Sequence, residues 1–168
     1  MYPTLKILIL TTGGTIDKVY FDALSEYQVG TTQIARLLEI GRVTAPFEIV
    51  ELMRKDSLEL TDADRAAIVA AVKGADADHI IITHGTDTMT VTAEALTGIA
   101  GKTIVLVGAL APARFAESDA TFNLGMAFAT VQIAPPGVYL TMNGSVFRAG
   151  EVLKDRERGV FVAFGHDR

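Results

Sequence analysis

The chain has 168 residues, of which 49% are hydrophobic, so it is long enough to bury one core and too short for two ordinary domains. It has no cysteines, which excludes disulfides and thiolate metal sites, and His79, His84 and His166 lack metal-ligand spacing, so we expect no metal and no cofactor. The net charge is -5 and the Lys and Arg residues are scattered, so the sequence indicates no basic surface for nucleic acid and we expect a small-molecule partner. No apolar run reaches the ~18 residues that span a bilayer.

The amino-terminal segment and the mean hydropathy lead to two further predictions. Residues 1–10 contain too short an apolar stretch for a secretory signal, and glycines follow almost at once, so we expect a cytoplasmic location. The mean hydropathy of +0.33 is high for a soluble monomer. Self-association commonly covers surplus apolar surface, so we expect a homo-oligomer, either a dimer or a tetramer.

Strands and helices alternate in the apolar pattern. The strand candidates cover residues 5–11, 47–53, 79–83, 103–107 and 137–142, and the helix candidates cover residues 32–40, 61–74, 88–98 and a segment that Ser118 can cap. Residues 13–30 have no clean period and predict one long loop, whereas Val146, Val152 and residues 159–164 predict short strands or a hairpin near the end. This alternation predicts an α/β fold with a doubly wound, mostly parallel sheet, in a single domain over residues 1–168.

Ligands of doubly wound sheets bind beyond the carboxyl ends of the strands. The loops at these ends of the predicted strands cover residues 12–27, 55–59, 84–88 and 108–112, and all four are unusually polar or glycine-rich. We therefore expect the functional site to be built from these loops.

The first loop begins with Thr-Thr-Gly-Gly-Thr-Ile at residues 11–16. Two glycines permit a sharp exit from a strand and bring the hydroxyl of Thr15 close to backbone N–H groups. A plain turn, a hydroxyl nucleophile and a phosphate-binding loop are all compatible with this spacing. A phosphate loop would have glycines that open a helix, or Gly-Lys followed by Ser or Thr, whereas Asp17 and an irregular segment follow here.

The segment Ile-Thr-His-Gly-Thr-Asp-Thr-Met at residues 82–89 places three hydroxyls, an imidazole and a carboxylate at a strand-to-helix turn. In the simplest interpretation, Thr86 or Asp87 caps the helix that starts near Thr88. The alternative is that both also face a site. For His84 we expect a structural role, because a histidine in a turn usually forms local hydrogen bonds.

Residues 12–16 and 83–89, in this order and at predicted strand ends, resemble the two signature motifs of the bacterial-type L-asparaginases. The N-terminal domain of that family is flavodoxin-like, in agreement with the predicted doubly wound sheet. Further similarity to the family extends along nearly the whole chain and covers residues 26–30, Asp56-Ser57, Gly108-Ala109, residues 122–124 and residues 143–154.

The resemblance implies that Thr15 is a nucleophile that attacks the side-chain amide of asparagine and that Thr86, Asp87 and Lys154 form a second catalytic cluster. A threonine hydroxyl is a weak nucleophile until a base takes its proton, and a lysine can be that base only if burial lowers its pKa. A neighbouring carboxylate favours the charged lysine, so the two effects oppose each other. Tyr27, on a mobile lid, is the other candidate activator, and we prefer it to Tyr20 because Tyr27 lies in the family's Tyr-x-Val-Gly pattern.

For substrate binding, the resemblance implies that Ser57 and Asp87 hold the α-carboxylate and α-amino groups of asparagine. The carbonyl of Ala109 would accept a hydrogen bond from the side-chain amide. Independently of the resemblance, developing negative charge on the amide oxygen needs preplaced donors, and we expect backbone N–H groups in the Gly13-Gly14 turn and around Gly85 and Thr86 to supply them.

The chain departs from the family in what would hold the α-amino group. Most relatives continue into a second, smaller domain, which supplies an acidic group to a neighbouring subunit. Leu58 also replaces a common glutamine and Ala111 replaces a common arginine, so recognition of the amine would rest on Asp87 and Glu59. Losing one charged hydrogen bond costs about 1.5–3 kcal/mol, so weak substrate affinity is expected.

Three alternatives to hydrolysis of asparagine stay open. One is a catalytically weak or silent domain that binds or senses amino acids, and another is an amidase that prefers glutamine. The third is nucleotide binding, which rests on fold analogy alone.

Overall fold

The computed structural model describes residues 5–164, in which a central sheet lies between two layers of helices. The strands are β1 (Ile7–Gly13), β2 (Lys18–Phe21), β3 (Glu26–Val29), β4 (Phe47–Lys55), β5 (His79–Thr83), β6 (Thr103–Val107), β7 (Gly137–Met142), β8 (Ser145–Arg148), β9 (Val152–Asp155) and β10 (Val160–Ala163). The helices are α1 (Ile34–Ile40), α2 (Asp62–Gly74), α3 (Met89–Ala95) and α4 (Ala120–Ile133), and short 3-10 helices cover Thr15–Asp17, Asp22–Leu24 and Ser57–Glu59.

The main sheet has six strands in the order β4-β1-β5-β6-β7-β8. The first five are parallel, and β8 adds an antiparallel edge strand through the tight turn after β7. From β1 the chain passes to β4 on one side and then to β5 on the other, so the direction of winding reverses between β1 and β5. Ligands of doubly wound sheets bind at this reversal, which places the two signature loops where a ligand is expected.

Apolar side chains fill both faces of the sheet, as its buried, β-branched strands predict. The core on one face includes Ile9 and Ile81 from the strands and packs against α1 and α4. The core on the other face includes Leu10 and Ile82, packs against α2 and α3, and extends to Phe161 of β10. The predicted α/β, doubly wound, mostly parallel fold is therefore confirmed.

The prediction of one irregular loop over residues 13–30 was wrong. Within that segment β2 and β3 pair as an antiparallel hairpin, in which Tyr20 lies opposite Tyr27. The hairpin has no alternating pattern in its sequence because neither of its faces is fully buried. Its turn is closed by Ser25 at a φ of 50°, a left-handed conformation for which serine gives no sequence signal.

Smaller differences occur at element ends. β4 continues to Lys55, beyond the predicted end at residue 53, and α3 is shorter than the predicted helix over residues 88–98. The capping box of α2 is confirmed, since the Thr61 hydroxyl accepts from the Asp64 N–H and the Asp64 carboxylate accepts from the Thr61 N–H. The predicted C-terminal hairpin is also present, as β9 and β10. None of the helices within residues 5–164 combines the length and the apolar character needed to traverse a bilayer.

Candidate active site

Three loops at the carboxyl edge of the sheet meet through two glycines. The backbones of Gly14 and Gly85 pack so closely that a Cβ atom on Gly14 would lie 2.5 Å from the Gly85 Cα. A Cβ atom on Gly85 would in turn lie 2.6 Å from the Cβ of Ser57. These glycines are needed because any side chain would separate the loops after β1, β4 and β5.

Thr15 directly follows Gly14, and Thr86 directly follows Gly85. Adjacent Cα atoms are 3.8 Å apart, so the glycine contact keeps the Cα atoms of Thr15 and Thr86 within about 12 Å of each other. Thr15 is half-buried and begins a 3-10 turn, whereas Thr86 is buried. The two threonines that the resemblance selects thus lie on loops in direct contact.

Lys154 reaches both Thr86 and Asp87 from β9. Its Nζ donates to the Thr86 Oγ1 and to the Asp87 Oδ1, each at 2.8 Å. The lysine side chain is only 15% exposed and the aspartate side chain 33%, so the ion pair is partly shielded from water. β9 is held above α3 by the apolar core that contains Val152 and Phe161.

This geometry overturns the capping interpretation of Thr86 and Asp87. The residue that precedes α3 is Thr88, and no side chain forms a capping hydrogen bond at this end of the helix. The Thr88 hydroxyl instead donates to the Ser57 carbonyl at 2.8 Å, which ties the loop after β5 to the loop after β4. Both polar groups of the Thr86-Asp87 pair are therefore directed to Lys154.

The Ser57 side chain is 1% exposed, and its hydroxyl finds no hydrogen-bond partner among residues 5–164. A buried hydroxyl without a partner is unfavourable unless a ligand or water satisfies it. Glu59, also a predicted binding residue, lies two positions further, and its carboxylate accepts from the Asp56 N–H at 3.4 Å. Leu58 between them is 66% exposed.

His84 is fully buried beneath this site. Its Nδ1 lies 2.7 Å from the Gly85 carbonyl, and its Nε2 lies 2.7 Å from the Thr92 hydroxyl. A carbonyl can only accept, so Nδ1 carries the proton and Nε2 accepts from Thr92. Burial lowers the pKa of His84 to about 4, against the opposing hydrogen bond to Gly85. The local hydrogen bonds expected for this histidine are therefore present.

Tyr27 lies on β3, in the exposed hairpin formed by residues 18–29, which we call the lid hairpin. Its ring is half exposed and packs against Tyr20 at 5.4 Å and against Phe115 at 5.9 Å between centroids. A groove of about 590 Å³ separates the lid hairpin from the Ser57–Glu59 turn. Tyr27 and Glu59 line this groove, whereas Thr15, Thr86 and Lys154 do not.

The loop after β6 contains the predicted binding residue Ala109, which is buried. The Asp119 carboxylate fixes this loop by accepting from the N–H groups of Leu110 and Ala111, each at 3.0 Å. The Asn123 amide adds a hydrogen bond from Nδ2 to the Gly108 carbonyl at 3.0 Å. The backbone around Ala109 is therefore held by the first turn of α4.

A family model described as "Asparaginase, N-terminal" matches residues 6–166. The chain belongs to the asparaginase family. An L-asparaginase from Thermococcus kodakarensis is 30% identical over 162 residues, which cover 93% of this chain and 49% of that protein. A relative from Pyrobaculum aerophilum, which is one of the subunits of a glutamyl-tRNA(Gln) amidotransferase, is 36% identical over 139 residues, which cover 77% of this chain and 33% of that protein.

The fold of the family is confirmed by a solved structure. The thermostable L-asparaginase from Thermococcus kodakarensis superposes with a TM-score of 0.83 and 28% identity, covering 96% of this chain and 52% of that one. The chain therefore spans about half the length of the L-asparaginase relatives that it matches.

Several contacts of this asparaginase-family site were not anticipated from the sequence. Lys18 of the lid hairpin forms an ion pair of 2.6 Å with Asp56, which also accepts from the Leu58 N–H. Partial burial opposes the charge of Asp56, but the hydrogen bonds from Lys18 and Leu58 outweigh it and hold the pKa of this carboxyl below its usual value. Asp119 and Thr88 were missed as well. Only the position of Asp119, just before a helix, offered a signal in the sequence.

Proposed function

We propose that this chain hydrolyses L-asparagine to L-aspartate and ammonia, with residues 1–168 as its catalytic domain. The observation that carries the proposal is the position of the Lys154 ammonium, which lies 2.8 Å from both the Thr86 hydroxyl and the Asp87 carboxylate. The loop that carries Thr86 and Asp87 is in contact with the turn that precedes Thr15. Family membership and the L-asparaginase relative support the same reaction class.

In the first step, the Thr15 hydroxyl oxygen attacks the amide carbon of asparagine. The Thr15 proton is passed to the amide nitrogen, the C–N bond breaks and ammonia is released. An ester between Thr15 and the aspartyl group remains. Tyr27 is the proposed proton carrier, since it lies on the lid hairpin, which can bring it over the substrate. The N–H groups of Gly85 and Thr86 stabilise the negative charge on the former amide oxygen.

In the second step, water attacks the ester carbon, the bond from this carbon to the Thr15 oxygen breaks, and a proton of the water passes to that oxygen, which restores the hydroxyl and releases aspartate. Thr86 and Lys154 position this water and stabilise the charge that develops during the attack. Support for this role comes from the direct hydrogen bond between their side chains, which aligns the Thr86 hydroxyl with a shielded positive charge. Closing the lid hairpin excludes other water until the ester has formed.

Substrate recognition rests on four further residues. The Ser57 hydroxyl, which is buried and unpaired within residues 5–164, binds the α-carboxylate. Asp87 and Glu59 receive the α-amino group, and the Ala109 carbonyl accepts from the side-chain amide. The exposed, apolar Leu58 contributes no polar contact, so affinity for the amine is expected to be low.

A second candidate is an amino-acid-binding domain with little turnover. The observation that favours it is the groove beside the lid hairpin, which Tyr27 and Glu59 line but Thr15, Thr86 and Lys154 do not. The cytoplasmic location and the homo-oligomer also remain proposals. The outer face of α4 supports self-association, since Phe122 and Ile133 are 63% and 85% exposed there.

The test is an ammonia-release assay on asparagine and on glutamine. The wild-type protein should release ammonia from asparagine faster than from glutamine, Thr15→Ala should lose activity by roughly 10³-fold or more, and Thr15→Ser should keep part of it. Full activity in Thr15→Ala would refute the nucleophile assignment. A wild-type protein that binds asparagine in calorimetry without releasing ammonia would establish the binding candidate instead.

A further inference from the structure

Asp17 is a buried carboxyl that the proposed reaction does not use. It lies two positions after Thr15 and is 1% exposed. Burial raises its pKa, and hydrogen bonds from Gln33 and Thr32 offset this only in part. Burying a carboxylate is costly unless it is paired or hydrogen-bonded, so the partners of Asp17 indicate what its side chain does.

The hydrogen bonds of Asp17 connect the chain before and after the lid hairpin. Its N–H donates to the Gly14 carbonyl at 3.1 Å, and its own carbonyl accepts from the Gly30 N–H at 2.9 Å. Its Oδ1 accepts from the Gln33 N–H at 2.8 Å and from the Thr32 hydroxyl at 3.2 Å. Asp17 thus connects the turn that carries Thr15 to the segment that directly follows the lid hairpin.

The rest of the lid hairpin is held much less firmly. Four large apolar side chains of the hairpin, namely Tyr20, Phe21, Leu24 and Tyr27, are between 47% and 56% exposed. Its outer contacts include the partly exposed Lys18–Asp56 ion pair and the ring contact between Tyr27 and Phe115. Partly exposed ion pairs contribute little, so the base of the hairpin is its strong attachment.

We propose that Asp17 is a positioning residue that anchors the base of the lid hairpin and couples its movement to the orientation of Thr15. The carboxylate holds Thr32 and Gln33, so the hairpin pivots as a unit about its base instead of fraying from it. When the pivot is fixed, Tyr27 returns to the same place over the substrate at each closure. The kinetic part of this inference rests on the proposed function, whereas the mechanical part does not.

The experiment compares Asp17→Asn with Asp22→Asn in the complete chain. Asp17→Asn keeps the shape of the side chain and one acceptor but loses the charge, and Asp22→Asn removes a charge from the exposed tip of the same hairpin. Amide hydrogen exchange should become about ten- to hundredfold faster over residues 18–33 in Asp17→Asn alone, with exchange in β1, β5 and β6 unchanged, because a charged hydrogen bond is weakened at the base.

The kinetic readout separates positioning from plain stabilisation. Per folded molecule, Asp17→Asn should lower kcat for asparagine by about tenfold or more and raise KM by a smaller factor, while Asp22→Asn should change neither. A residue that only stabilises the fold would lower the melting temperature and leave both constants intact, and that result would overturn the proposal.

Thr32→Val provides a second variant in case Asp17→Asn does not fold. It removes one donor to Asp17 and should accelerate exchange over residues 18–33 in the same direction but by a smaller factor. Unchanged exchange in Thr32→Val and in any folded Asp17→Asn would refute the anchor. If the wild-type protein releases no ammonia, the exchange data still decide between an anchored and an unanchored hairpin.

Discussion

The backbones of Gly14 and Gly85 are in direct contact, although the two residues lie at the ends of different strands of the sheet. Gly14 also has a φ of 88°, a backbone conformation that residues with a Cβ rarely adopt. Proximity and conformation therefore both require glycine at this position. The relative placement of Thr15 and Thr86 depends on that contact.

Gly14→Ala should lower the free energy of unfolding by on the order of 2–4 kcal/mol, because the new Cβ would collide with backbone that no single side chain can vacate. Activity per folded molecule should fall as well, since the loops would separate. Urea unfolding measures the first effect. The control is Gly74→Ala at the end of α2, where a Cβ meets nothing within 4 Å, and equal losses in the two variants would contradict the argument.

Replacing Lys154 by methionine should reduce ammonia release by about 10²- to 10³-fold, as expected when a group that stabilises developing charge is lost. The matched control is Lys102→Met. Lys102 is also buried, but it donates to the carbonyls of Ala75 and Ala77 at the opposite edge of the sheet. That variant should lose stability and keep its activity per folded molecule. Steady-state rates corrected for the folded fraction distinguish the two, and an active Lys154→Met would exclude the lysine from the reaction.

Ser57→Ala should leave the melting temperature unchanged or slightly higher, because the hydroxyl that is removed is buried without a partner among residues 5–164. At the same time KM for asparagine should rise by about ten- to hundredfold through loss of a hydrogen bond to the carboxylate. Thr103→Val is the converse control, since its hydroxyl donates to the Ala134 carbonyl far from the loops. It should lower stability with KM unchanged. An unaltered KM in Ser57→Ala would remove Ser57 from the binding site.

The stability of the protein should fall in mild acid because of His84. Its pKa is about 4 in the folded state and near 6.5 when exposed, so between these values the unfolded chain binds the additional proton. The contribution of neutral His84 to the free energy of unfolding is therefore fully present above pH 6.5. It decreases by about 3 kcal/mol as the pH falls towards 4. The raised pKa of Asp17 gives a slope of opposite sign, which cancels when wild type and variant are compared.

The comparison for this prediction is chemical denaturation from pH 4 to pH 7 in the wild type, His84→Gln and His79→Gln. The difference between the wild type and His84→Gln should vary with pH across that window. The difference between the wild type and His79→Gln, which changes a histidine at the other end of β5, provides the reference. A His84→Gln profile parallel to that of the wild type would show that His84 is not buried in its neutral form.

The parallel strands and their alternation with helices could be predicted because burial of the strands leaves a direct trace in the sequence. Strands such as β1 and β5 are continuous apolar runs, and the loops after them stand out by contrast. The lid hairpin left no such trace, because a hairpin that is exposed on both faces selects no apolar period. Its pairing is decided by contacts with the rest of the chain.

The candidate site divides in the same way. Thr15, Thr86 and Asp87 stand in motifs, whereas the significance of Lys154 came from resemblance to the family, since its partners lie 68 and 67 positions away. Asp17 and Lys18 follow the first motif but received no role from the sequence, because their partners Gln33 and Asp56 belong to other elements. Side-chain pairing over long separations is set by the topology of the sheet, which local patterns do not encode.

The position of Lys154 along the chain has a consequence for protein synthesis. The ribosome makes the strands that carry Thr15 and Thr86 early, but the ammonium that contacts Thr86 and Asp87 arrives only with β9, close to the end of the described chain. A nascent or prematurely terminated chain that stops before Val152 contains every other proposed catalytic group and still lacks the cation. Turnover would thus begin only after translation has passed β9, and catalysis itself would report that the C-terminal hairpin has docked.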